Sequence, residues 1–155
     1  MKLNPDCIRD ILLLIGDIQE METKSSSLFP TNSSDNETKY FIGSVNKIRS
    51  GCIVESERLE NYSEQDIWYS IKQLRDAYLI DALAPTSLGG TSYIINDITP
   101  SGHEFLNNVR ENKIWNKVKN TSKDIGIKSL GGMLKIASAV ISEIIKSYIN
   151  TNLQS

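Results

Sequence analysis

The chain's single histidine, His103, stands beside Glu104, and a His–carboxylate neighbour pair is the first place to look for acid–base chemistry. No Ser or Cys lies at a nucleophile spacing from it, and one His without a nearby Cys cannot assemble a His-based metal site. Cys7 and Cys52 match no metal-ligand spacing and are expected to be buried, reduced thiols. Gly89-Gly90 and Gly131-Gly132 lack the Lys and Thr of a phosphate loop, and no strand leads into the second pair. The carboxylates form no paired arrangement beyond solvated ones. These residues predict a non-enzymatic protein with no catalytic residue, no metal site and no cofactor.

Binding chemistry is better represented. At 100° per residue, Gln65, Tyr69, Lys72, Gln73 and Asp76 share one face of a helix. Gln reads adenine and Lys reads guanine in a major groove, so Gln65, Tyr69, Lys72 and Gln73 are the expected DNA- or partner-binding residues. Asp76, Glu64 and Asp66 would repel phosphate, and the segment Pro85 to Ser92 has no Lys or Arg to touch a backbone. A second surface is basic. Arg110, Lys113 and Lys117 recur at i, i+3, i+7 with Trp115 near their edge, in a cluster that includes Lys119, Lys123 and Lys128. Nucleic acid, an acidic protein or plain solvent fits that face.

Charge divides unevenly along the chain. Residues 1–100 carry 9 Lys and Arg against 15 Asp and Glu, while residues 101–155 carry 8 against 4. The front is acidic and the last third basic, which weighs against a simple phosphate-binding role for the front half. Hydrophobic residues at 39% and charged residues at 23% are ordinary for a globular chain. No secretory pattern opens the sequence, so a cytoplasmic protein is expected.

The elements that position these residues follow from caps and periodicity. Asn4 and Pro5 open a helix to about Met21, with Ile8, Ile11, Leu12, Ile15 and Ile18 as its stripe. Residues 23–38 are polar and read as a loop, and Tyr40 to Gly43 as a strand. Ser63, with Asp66 three residues on, caps a helix whose inner stripe is Ile67, Ile71, Leu74 and Tyr78, flanked by Trp68. Ala82 to Ser92 reads as a hairpin turn and Tyr93-Ile94-Ile95 as its returning strand. Thr99 and Pro100 start a helix continuing through Trp115 and Val118 to around Lys123. From Ser129 to about Asn150 a very apolar helix leaves only a narrow polar strip. It falls short of a membrane span, so oligomerisation or docking along the opening helix is expected, with Val140, Ile141, Ile144, Ile145 and Tyr148 as the self-association residues.

Three blocks carry a family resemblance. They are Met1 to Leu12, then Tyr62-Ser63-Glu64-Gln65-Asp66-Ile67 with Ile71-Lys72-Gln73-Leu74, and finally Asp97 to Leu106 with Ile114-Trp115-Asn116-Lys117. Together they resemble an uncharacterised family of phage and prophage proteins, a domain of unknown function. The resemblance implies a YjcQ-like winged helix and brings no catalytic residues with it. The expected fold is α+β and mainly helical: a winged helix-turn-helix with a small β-hairpin as wing in residues 1–108, a C-terminal helical extension in 109–150, and a tail at 151–155. The expected function is that of a regulatory protein binding a macromolecule. DNA-linked transcriptional regulation stands first on fold analogy. The alternative is a protein–protein interaction module, a phage modulator of a host or defence protein that does not bind DNA.

Overall fold

Asn4 starts the first helix as its spacing predicts: its side-chain oxygen accepts a hydrogen bond from the Cys7 amide at 3.3 Å. The structure, a computed structural model, describes residues 2–28, 56–83 and 93–153. The expected strand at 40–43, Cys52 and the turn at 85–92 lie outside the described residues. Helix α1 spans Pro5–Leu28, so it runs seven residues beyond Met21 and into the segment expected to be a polar loop. Once a helix is nucleated, each further residue adds a backbone hydrogen bond at little extra cost, so Ser-rich composition alone does not stop it.

A single 3₁₀ turn, Glu57–Leu59, buries Leu59 and leads into α2, Glu64–Asp76. Ser63 caps α2 by accepting from the Asp66 amide at 3.1 Å. The helix ends in a Schellman motif: the Leu79 amide reaches the Leu74 carbonyl at 2.9 Å, and the Tyr78 amide reaches Arg75 at 3.0 Å. Tyr78 occupies the left-handed position (φ 57°) that usually belongs to glycine. It does not join the inner stripe as expected but is 80% exposed, because the motif turns its side chain out of the helix line.

Strands β1 (Ile80–Leu83) and β2 (Ile94–Ile98) form an antiparallel pair, Ile80 opposite Ile98 and Leu83 opposite Ile94. A register shift falls between Asp81 and Ala82, and Asn96 and Asp97 are consecutively exposed between buried Ile95 and Ile98, as a bulge requires. The returning strand thus extends further than Tyr93 to Ile95, since pairing with β1 carries it through Asn96 and Asp97 despite their low strand propensity.

Helix α3 is Pro100–Val109, α4 is Asn112–Ile125 and α5 is Leu130–Leu153. The expected continuous helix from Pro100 is therefore two. Arg9 of α1 explains the break. Its guanidinium donates to the carbonyls of Val109 (2.8 Å) and Arg110 and to Oδ1 of Asn112 (2.9 Å), satisfying carbonyls that a helix end leaves open. At its other end α4 stops at Gly126, whose φ of 83° suits glycine alone without strain.

α5 packs on α3 and α4 rather than along α1, and it continues to Leu153 where a tail was expected. One hydrophobic core takes Ile8, Ile11 and Leu12 from α1, Ile71 and Leu74 from α2, Ile95 and Ile98 from β2, Phe105 and Leu106 from α3, Trp115 from α4 and Met133 from α5. The molecule is thus mainly helical, five helices and a two-stranded hairpin among the described residues.

Candidate functional site

α2 is the element whose outward side is polar by design of its spacing. Ile67, Ser70, Ile71 and Leu74 are buried. Gln65, Lys72 and Asp76 are exposed and Tyr69 and Gln73 half-buried, so the structure brings all five to one accessible face. Its far side is not sealed, and the hairpin stands behind the helix.

The charged side chains of that face are paired. Lys72 Nζ lies 2.6 Å from Asp76 Oδ2, an i,i+4 ion pair, and the hydrogen bond to Asp76 raises the Lys72 pKa above the usual lysine value. Arg75 is engaged with the hairpin: its Nε donates to the Ala82 carbonyl at 2.9 Å, and its guanidinium sits 5.9 Å from the Tyr93 ring centroid. Glu64 accepts from the Trp68 indole at 3.5 Å, and Trp68 in turn packs on Tyr93 at 5.9 Å between centroids. The cations at this helix are therefore held by neighbours, Asp76 among them, while Glu64 and Asp66 add negative charge. The Lys72–Asp76 pair is legible as an i,i+4 spacing.

The basic cluster does not form one helical face. Arg110 lies in the break between α3 and α4, so the i, i+3, i+7 relation with Lys113 and Lys117 does not hold on a single helix. Lys113 is exposed, and Lys117 pairs with Glu143 of α5 at 3.3 Å. Lys119, Lys123 and Lys128 instead line, with Lys2, an open pocket of about 320 Å³ whose apolar wall includes Leu3, Ile127 and Met133.

Trp115 is no edge residue: it is 2% exposed, because its ring fills the space between α1 and α3. Its indole donates to Asp6 Oδ1 at 2.7 Å, and Lys119 Nζ reaches the same oxygen at 2.8 Å. Arg9 and Lys119 each lie 5.8 Å from the indole centroid. Burial alone would raise the Asp6 pKa, but the hydrogen bonds from Lys119 and Trp115 and the charges of Lys119 and Arg9 together hold the carboxyl below its ordinary value. Nothing local in the sequence marks this cluster, since Asp6 and Trp115 are more than 100 residues apart.

His103 is exposed on the first turn of α3, its amide bonded to the Thr99 carbonyl at 2.9 Å. Cys7 is buried, which pushes its thiol up to about 11, so it stays protonated at neutral pH. Among the described residues, no group of three or more His, Cys, Asp or Glu could hold a metal ion. No described helix is long and apolar enough to cross a membrane.

Residues 2–128 match the model of a family described as hypothetical protein (DUF2513). The chain belongs to the DUF2513 family. An uncharacterized protein of Haemophilus influenzae (strain ATCC 51907 / DSM 11121 / KW20 / Rd) is 32% identical over 85 residues, which cover 54% of this chain and 72% of that one. No solved structure matches. The DUF2513 match takes in α1 to α4, the hairpin and the α2 face.

Proposed function

We propose that this DUF2513 protein is a non-enzymatic regulatory protein of the phage or prophage kind, a winged helix related to YjcQ-like proteins, that binds a protein partner through the outward face of α2. The scaffold reading rests on element order: a capped helix, an antiparallel hairpin and a return helix opened by Thr99-Pro100. The partner reading rests on one observation. Lys72, the cation on the candidate face, is already neutralised by Asp76 at 2.6 Å. A surface reading DNA gains its affinity by neutralising phosphates, and this face has little unspent positive charge with which to do so. Glu64 and Asp66 flanking exposed Gln65, with Asp76 at the far end of the helix, suit a polar or basic protein surface instead.

DNA-linked transcriptional regulation is the second reading, favoured by Gln65 and Gln73 lying on the accessible side of the helix that a winged helix would place in a groove. Retention of the full chain on random duplex DNA at low and moderate salt decides between them. The protein reading expects no retention at low salt. Tight retention that falls steeply with salt would overturn it, and relaxed sequence preference on Lys72→Ala and Gln73→Ala would then assign the contacts.

A further inference from the structure

We propose that the C-terminal three turns of α5 form the seam of a homodimer, covered by a second copy of this chain. This inference is independent of what α2 binds. The helix divides into two halves. From Leu130 to Val140 it serves the core, with Met133, Ile136, Ala137 and Val140 buried, so Val140 is not available to a partner. Ile141 is half-buried, and every described residue after it is exposed.

Apolar side chains nevertheless continue at helical spacing in that exposed half. Ile144 is 39% exposed, Ile145 52%, Tyr148 71%, Ile149 48% and Leu153 79%. With Ile141 they recur at i, i+3, i+4, i+7, i+8 and i+12, one stripe along the helix. Together they leave on the order of 600 Å² of side chain open to water, the upper end of what a monomer shows as a single apolar patch. Pairing two such stripes removes about 1,200 Å², the lower edge of the range buried by specific, stable interfaces.

Charge selects the occupant. Closing the stripe buries no unpaired ion: Glu143 is already paired with Lys117 of α4, and Lys146 lies about 100° around the helix from the stripe's centre. Asn152, within the stripe, donates to the Tyr148 carbonyl at 2.9 Å. An apolar stripe is complementary to itself about a two-fold axis, and the two charged residues beside it in residues 141–153, Glu143 and Lys146, are of opposite sign and present no net charge to select a different partner.

Light scattering or sedimentation equilibrium on the full chain is the test. The expected mass is twice 17.4 kDa. Ile145→Glu and Tyr148→Glu should each weaken association at least tenfold with unchanged far-UV circular dichroism, because both side chains are exposed in the monomer. Asn150→Asp, on the opposite side of the helix, should keep the dimer mass. A wild-type monomer throughout, a dimer surviving both stripe substitutions, or equal dissociation by Asn150→Asp would each overturn the proposal.

Discussion

Replacing Gly102 and Gly16 with alanine, one at a time, tests the joint between the hairpin and α3. Both residues lie inside helices, where Ala is favoured over Gly by about 1 kcal/mol, so helix propensity alone expects two stabilised proteins. Their surroundings differ. A Cβ at Gly16 would sit 3.6 Å from Leu106 Cδ2, an ordinary contact. A Cβ at Gly102 would sit 1.9 Å from the Leu79 carbonyl oxygen and 2.6 Å from Ile98 Cγ2, and the backbone oxygen cannot rotate away. The same carbonyl accepts the Thr99 amide at 3.1 Å, and Thr99 Oγ1 donates to the Tyr78 carbonyl at 2.6 Å. Moving α3 off the turn strains both bonds. Overpacking of this kind costs about 1–3 kcal/mol and each weakened hydrogen bond about 1 kcal/mol, so Gly102→Ala is expected to lose about 3 kcal/mol net of the propensity gain. At roughly 2–4 °C per kcal/mol for a chain of this size, thermal unfolding should shift down by about 10 °C for Gly102→Ala and up by about 3 °C for Gly16→Ala. Equal stabilisation of both variants, or an unchanged midpoint for Gly102→Ala, would refute the close approach of α3 to the turn.

Two further substitutions address single interactions. Tyr78→Gly should raise stability by about 1 kcal/mol in urea titrations, because glycine accepts the left-handed conformation without a Cβ penalty and the exposed ring gives up little packing; a loss of stability would show that the ring is held by something else. Asp6 has a folded pKa below its ordinary 3.8, so its contribution is complete above that value and disappears as pH falls through the lower, folded one. The stability gap between wild type and Asp6→Asn should therefore be constant from neutral pH to about pH 5 and shrink below about pH 4, and a gap that widens on acidification would reverse the sign assigned here.

What the sequence makes legible is what a few adjacent residues decide. Asn4, Ser63 and Thr99 read as helix caps, and all three accept the expected amide, from Cys7, Asp66 and Gly102 respectively. The α2 face is legible for the same reason, because 3.6-residue spacing alone places Gln65, Tyr69, Lys72 and Gln73 together. The α3–α4 break is not. The residue that stabilises it, Arg9, is 100 positions away from Val109, and local propensity between Val109 and Asn112 contains no Pro or Gly to announce a stop. Trp115 misleads similarly, since an aromatic among lysines suggests a surface until the carboxylate of Asp6 is placed at its indole N–H. The hairpin was visible in its apolar ends but not in its length, because bulged strands keep pairing through residues that strand propensity disfavours.

The charges around α2 bear on the choice between DNA and protein, which residue types alone leave open. Gln, Tyr, Lys and Gln on one face would suit a groove if each side chain were free to reach a base edge. Lys72 Nζ is instead held by Asp76, which also lies 4.0 Å from Arg75 Nη1, so a carboxylate stands beside any phosphate that Lys72 would contact. An exposed pair of this kind is weak, so breaking it is cheap; the larger penalty is the Asp76 carboxylate itself, which repels the backbone just where contact is needed. Arg75 cannot compensate without releasing the Ala82 carbonyl and the face of Tyr93, both of which anchor the hairpin to the helix. The arrangement therefore spends its cations on internal order and presents neutral and acidic groups outward. A protein surface rich in donors meets that pattern without any rearrangement, which is why the protein-binding reading asks less of these residues than the nucleic-acid one.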